Sequence, residues 1–244
     1  VMAIVLFTDF GAEGPYLGQM ESVIAEIAAD CRVINLLSNA PKSDPLLSSY
    51  LLAAMAKDFP VGTVFLAVVD PGVGGERSAV VLEADGRFFV GPDNGLLNTA
   101  AVHASQRRWF EIIWRPQRWS TSFHGRDIFA PVAARLAVNS ADDDDLQPYQ
   151  QSLHGWAKDL QRVIYFDHYG NAMTGIRFDD HWNGETLQVN GRSIKQADTF
   201  SDVQEGEAFW YNNSSGLIEI AANKDCARNR LSLRLRDEVG RCLE

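Results

Sequence analysis

Three strand-length apolar runs, Ala3–Phe7, Val33–Leu37 and Thr63–Val69, do most to limit how this chain can fold. Each is too short for a buried helix, and each is separated from the next by a segment of helical periodicity. Leu17, Met20, Val23, Ile24 and Ile27 recur at helical spacing after the first run, and Leu46–Met55 forms a second helical stretch that begins near Asp44 and Pro45. Apolar strands alternating with helices predict a mainly parallel sheet covered on both faces. In such sheets, ligands bind beyond the carboxyl ends of the strands. The first run ends at Thr8-Asp9-Phe10-Gly11 and the third at Asp70-Pro71-Gly72-Val73-Gly74-Gly75, so Asp9 and Asp70 both fall at that edge. Ala79–Glu83 and Arg87–Val90 predict a hairpin around Asp85-Gly86. Pro92-Asp93-Asn94-Gly95 predicts a tight turn into a helix.

The pattern changes along the chain. Ala141 and the four aspartates Asp142–Asp145 form a like-charge run that, with Gln147–Gln151, suits a solvated linker. From Val163, short apolar segments recur between Gly, Asn and Asp turns: Val163–Phe166, Glu185–Val189, Ala208–Tyr211, Leu217–Ile220 and Leu231–Leu235. This spacing predicts a small all-β barrel. The expected organisation is an N-terminal α/β domain over residues 1–145 and a smaller C-terminal β-barrel domain over 160–244.

Composition excludes several function classes. The formal net charge of −10 argues against nucleic acid and anionic membrane surfaces as partners, since both need clustered Lys and Arg. No apolar run approaches the length of a membrane span. Cys31, Cys226 and Cys242 are scattered and odd in number, which fits a reducing cytoplasm better than a disulfide framework. The five histidines, His103, His124, His154, His168 and His181, show no metal-ligand spacing, so no metal is expected. No glycine fingerprint for a dinucleotide, no phosphate-binding loop and no GxSxG is present.

Two N-terminal segments carry candidate chemistry. Asp70 to Arg77 places an aspartate at a strand end beside glycines. Read alone, it suits either a tight connection capped by Asp70 or a carboxylate presented to a cleft. Ser122–Pro131 concentrates Phe123, His124, Gly125, Arg126 and Asp127 just before a helix whose first turn Pro131 suits. Arg126 and Asp127 also fit a local ion pair at that helix start. In the second half, Phe166–Asn171 and Asn212–Gly216 are polar turns, either simple hairpin connections or groups able to bond an adenine edge or an amino acid.

Together these segments resemble the S-adenosyl-L-methionine hydroxide adenosyltransferase family, the hydrolytic relatives of the fluorinase and chlorinase. The resemblance rests on TDFG at 8–11, VVDPGVG at 68–74, Arg77, PDNGLL at 92–97, FHGRDIFAP at 123–131, DHYGN at 167–171 and NSSGLIEIA at 213–221, in order. It implies an α/β domain plus a β-barrel, assembled as a homotrimer with sites between subunits. It implies hydrolysis of S-adenosyl-L-methionine to adenosine and L-methionine by activated water attacking C5′, with no cofactor. The family's water-activating residues fall on Asp70, Arg77 and His124. Its ribose-binding aspartate falls on Asp9, and Phe123 matches an aromatic beside the reacting carbon. Asp167, Tyr169, Asn171 and Ser214 match positions that hold the adenine or methionine portions. Halogenases of the family carry a tyrosine where Asp70 stands, and the fluorinase has a long insertion before its PNNG segment. Asp70 and the short Arg77–Pro92 connection therefore favour water over halide. This chain departs from the family at Asn35 and Ser38, where Asp and His are usual, at Gly14 beside Glu13, and at Met173–Ile176. The alternatives are a non-catalytic protein that binds adenosine or S-adenosylmethionine, and a halogenase.

Overall fold

A computed structural model describes residues 2–151 and 153–242. The outer ends of the two expected domains, Val1 and residues 243–244, lie outside the described residues. The chain divides into two compact units, one ending at Trp156 and the other beginning at Ala157.

The first unit is built on a seven-stranded sheet. Strands β1 (Ile4–Thr8), β2 (Val33–Leu37), β3 (Val64–Val68), β4 (Ala79–Ala84), β5 (Arg87–Pro92), β6 (Arg107–Ile112) and β7 (Leu146–Pro148) lie in the order β2-β1-β3-β5-β4-β6-β7. The first four of that order are parallel, as the apolar runs predict. Strands β4, β6 and β7 join antiparallel, so the sheet is mixed with a parallel core. β1 and β3 are buried along their whole length. Helices α1 (Tyr16–Ile27), α2 (Pro45–Ala56), α3 (Asn98–His103) and α4 (Ala130–Ala137) accompany the sheet. α2 starts where the sequence signals it: the Asp44 carboxylate accepts from Leu47 N at 3.1 Å and Pro45 occupies the first turn.

The aspartate run is not a free linker. Asp145 is buried and pairs with Arg135 of α4, and β7 follows at once as an edge strand on β6. Burial of a carboxylate against a guanidinium ties this end of the run to the first unit, which continues to Trp156.

The second unit is a seven-stranded sheet of β8 (Leu160–Phe166), β9 (Ala172–Arg177), β10 (Leu187–Val189), β11 (Arg192–Gln196), β12 (Ala208–Asn212), β13 (Leu217–Ala222) and β14 (Val239–Arg241). Their order is β14-β10-β11-β12-β13-β9-β8. The end strands come back together: Val163 N donates to Asp237 O at 2.9 Å and Arg236 N to Val163 O at 2.8 Å. The sheet is thus nearly closed into a barrel around Trp210, Val163, Ile176, Ile218 and Ile220. The departure at Met173–Ile176 lies in β9, where Thr174 is buried and its hydroxyl donates to Ile218 O at 2.8 Å.

Leu231–Leu235 is not a strand. It follows the short helix α5 (Ala227–Arg230), and Leu233 N donates back to Arg228 O at 2.8 Å. Ser232 and Arg236 have φ of +54° and +73°, which no strand accommodates. Leu231 and Leu233 are buried from an irregular loop, so their alternation reflects burial and not pleating.

Candidate active site

The carboxyl edge of the parallel strands gathers the first set of candidates. β1 and β3 are neighbours in register, with Thr8 opposite Val68, so Asp9 and Asp70 leave the sheet on the same side. β4 runs antiparallel to β5, with Ala79 opposite Pro92, and this brings Arg77 to that edge from the other chain direction. The Asn94 amide bonds Val69 O at 2.9 Å and ties the turn after β5 to the residue before Asp70. His124 comes from the segment before α4. It precedes one turn of π-helix, Gly125–Phe129, in which a Cβ on Gly125 would stand 3.2 Å from both Met20 Sδ and the Phe123 ring.

Asp70, Arg77 and His124 touch. Arg77 Nε lies 3.1 Å from each Asp70 oxygen, and its Nη2 also donates to Asp70 Oδ2. The same Nη2 lies 3.0 Å from His124 Nδ1. Arg77 and Asp70 side chains are 10% and 5% exposed, so this charge pair is shielded from bulk water. The Phe129 ring lies 5.2 Å from the Arg77 guanidinium carbon. Burial lowers the His124 pKa below its ordinary 6.5, and the Arg77 charge lowers it further.

The surrounding groups hold this geometry. Arg126 and Asp127 form the expected ion pair, with Arg126 Nη2 2.9 Å from Asp127 Oδ2. Asp127 also accepts from Ser120 N at 2.7 Å. Burial pushes the Asp127 carboxyl up, but these bonds outweigh it and hold it below the usual range. Phe123 packs with Phe10 and Tyr16, at ring-centroid distances of 5.8 and 5.2 Å. Asp9 Oδ2 accepts from Ser43 N at 2.8 Å, a contact sequence spacing does not reveal because the two residues are 34 apart in the chain. Gly11 N donates to Ser38 O, which joins the loops after β1 and β2.

The second unit brings the other candidates to its turns. Asp167 accepts from Asn171 N at 2.8 Å and from its side-chain amide at 2.9 Å. Tyr169 is largely exposed at the tip of that turn. Tyr169 and Asn171 line a cavity of about 610 Å³ that also includes Phe200, Lys224 and Cys226. Ser214 is exposed on the β12–β13 turn, shaped by Asn213, whose Oδ1 accepts from Ser215 N and Leu217 N at 3.0 and 2.9 Å. Among the described residues, no group of three or more His, Cys, Asp or Glu side chains could hold a metal ion.

Fold and cluster define a two-domain enzyme, an α/β sheet with a polar triad at its carboxyl edge joined in sequence to a small barrel. The chain belongs to the SAM hydroxide adenosyltransferase family, whose N-terminal domain matches residues 4–144 and whose C-terminal domain matches residues 161–240. It is 36% identical to the (R)-S-adenosyl-L-methionine hydrolase of Thermus thermophilus, over 95% of this chain and 96% of that one. A crystal structure of an uncharacterized conserved protein from Thermotoga maritima matches with a TM-score of 0.90 and 31% identity, over 98% of this chain and 100% of that one. A fluorinase of Actinopolyspora mzabensis is more distant, 22% identical over 90% of each chain.

Proposed function

We propose that this protein hydrolyses S-adenosyl-L-methionine to adenosine and L-methionine, with Asp70, Arg77 and His124 activating the water. The observation that carries the assignment of these residues is the single guanidinium that bonds both Asp70 and His124. The substrate's sulfonium leaves C5′ as a neutral thioether, so the reaction needs no general acid. It needs an aligned oxygen nucleophile and stabilisation of developing hydroxide character. Arg77 is always cationic and supplies the stabilisation. Asp70 Oδ2 accepts two bonds from Arg77 while Oδ1 accepts one and keeps a free lone pair, so Oδ1 orients the water and takes up its proton, which is then released to solvent. The C5′–O bond forms as the C5′–S bond breaks with its electron pair on sulfur. Water, adenosine, methionine and a proton balance the equation, and no cofactor takes part.

Asp9 binds the ribose hydroxyls and Phe123 lies beside the reacting carbon. Asp167, Tyr169, Asn171 and Ser214 hold the adenine and methionine portions. The protein assembles as a homotrimer whose sites draw on more than one subunit, and it works in the cytoplasm, where its three free thiols are stable. Among the described residues no helix is long and apolar enough to cross a membrane.

The test is incubation with S-adenosylmethionine, with and without chloride, followed by chromatography. Adenosine and methionine in both arms are expected. Chloroadenosine in the chloride arm would assign a halogenase, and no turnover would assign a binding protein. Asp70→Ala and His124→Ala are expected to lose most methionine release while calorimetric binding persists. Wild-type turnover in both would overturn the triad. Sedimentation velocity checks the trimer.

A further inference from the structure

Glu219 lies in the middle of β13 with 2% of its surface exposed, and the reaction as written gives it no task. Its Oε1 accepts from the Tyr211 hydroxyl at 2.8 Å and its Oε2 from the Asn213 amide at 2.6 Å. Both partners are neutral donors, one to each oxygen, which is the bonding pattern of an ionised carboxylate. The carboxylate that faces it is Asp167: its charge raises the pKa of Glu219, whose burial raises it most. Among the described residues, Asp167 is likewise bonded only by the amide groups of Asn171. A cation packed against that turn, Arg228 of α5, stacks on Phe166, its guanidinium carbon 4.7 Å from the ring. Glu219 of β13 and Asp167 of the β8–β9 turn thus face each other across the start of β9, and among the described residues neither has an ion-pair partner. Burying the Glu219 charge without a countercharge costs stability, and half-buried Asp167 beside it adds a second negative charge, so the arrangement is complemented by a cation supplied from outside.

We propose that Glu219 is a specificity-determining residue that, behind Asp167, makes this site select ligands with an ammonium group, here the α-ammonium of the amino-acid portion. The proposal rests on the reading of Asp167 as part of the substrate site. The cation is an ammonium because carboxylate oxygens reward a group that donates hydrogen bonds; a sulfonium has none to donate. Asp167 makes the contact at the turn surface. Glu219 does not touch the ligand: it fixes Asn213, and so the Ser214 turn, and adds a second negative charge in a low-dielectric surround.

The experiment compares two probes by calorimetry: S-adenosylhomocysteine, which keeps the ammonium but has a neutral thioether, and adenosine, which has no cation. Glu219→Gln keeps an acceptor for Asn213 and a donor for the Tyr211 oxygen while removing the charge. It is expected to weaken S-adenosylhomocysteine about 10-fold, change adenosine less than 2-fold, and raise KM for S-adenosylmethionine with kcat within about 2-fold. Glu219→Asp, which keeps the charge, restores most of the preference. An equal loss for both probes marks a purely structural role and overturns the proposal, as does no loss for either. Wild-type protein that binds neither probe would instead overturn the substrate assignment itself.

Discussion

Arg77 Nη2 and His124 Nδ1 lie 3.0 Å apart, and the chemistry of the pair fixes the protonation of the imidazole. A guanidinium has donors and no acceptor, so Nδ1 must accept and carry no proton. His124 is therefore neutral, with its proton on Nε2. Burial and the Arg77 charge both act in the same sense, holding its pKa below 6.5. Protonation would set Nδ1–H against an Arg77 donor and break the cluster. Turnover should therefore be constant above pH 6.5 and fall about tenfold per pH unit once the pH drops through the lowered His124 pKa. A kcat–pH profile measures this. An acid limb centred above 6.5 contradicts the assignment.

Arg77 acts through geometry as much as through charge. Its Nε–H and Nη2–H face one carboxylate while the same Nη2 reaches an imidazole. A lysine ammonium is a compact point charge on a flexible stem and cannot span both partners in that fork. Arg77→Lys keeps the charge and should still lower kcat by about 100-fold or more, with KM changed only a few-fold. Steady-state methionine release separates the two parameters. An equal rise in KM with kcat intact would mean that Arg77 serves binding alone.

Gly74 sets the contact between the two loops that carry the triad. It has φ +80°, and a Cβ there would stand 2.5 Å from the carbonyl oxygen of Thr121, three residues before His124. Gly74→Ala combines backbone strain with a backbone clash that no rotamer relieves. It should destabilise the protein by about 1–3 kcal/mol and lower kcat. Chemical denaturation and kinetics on the same sample test it, with Gly72→Ala as the control, because a Cβ at Gly72 meets nothing within 4 Å.

Much of this was legible in the sequence, for identifiable reasons. β1 and β3 are buried on both faces and β2 is apolar at four of its five residues, so their runs needed no tertiary information to read, and strand ends placed Asp9 and Asp70 on one edge. The hairpin at Asp85-Gly86 was written in turn chemistry. Arg77 carried no local signal; it reaches the site only because β4 runs antiparallel, a property of sheet order. β7, β11 and β14 were missed because they are short and bury at most one residue each, β6 because it opens on exposed Arg107 and Arg108, and β9 because Thr174 and Gly175 break its apolar run. Leu231–Leu235 misled because a loop can bury alternate leucines. The Ser43–Asp9 bond and the Glu219 cluster join residues distant in sequence or opposite in a sheet, where no spacing rule applies.

Glu219 also predicts how stability depends on pH. Its pKa in the folded protein is raised above the ordinary 4.5, with burial the largest cause. The folded state therefore holds the Glu219 proton more tightly than the unfolded chain does. By linkage, the stabilisation associated with the protonated group is fully present below pH 4.5 and is lost as the pH rises through the raised value. Glu219→Gln has no proton to lose and escapes that loss. Relative to wild type, the Gln variant should gain stability as the pH rises from 4.5 through the raised pKa, and the difference should then level off. Urea denaturation at a series of pH values measures the difference curve. A flat curve would show that Glu219 ionises without penalty, which its burial among neutral donors beside a second carboxylate does not permit.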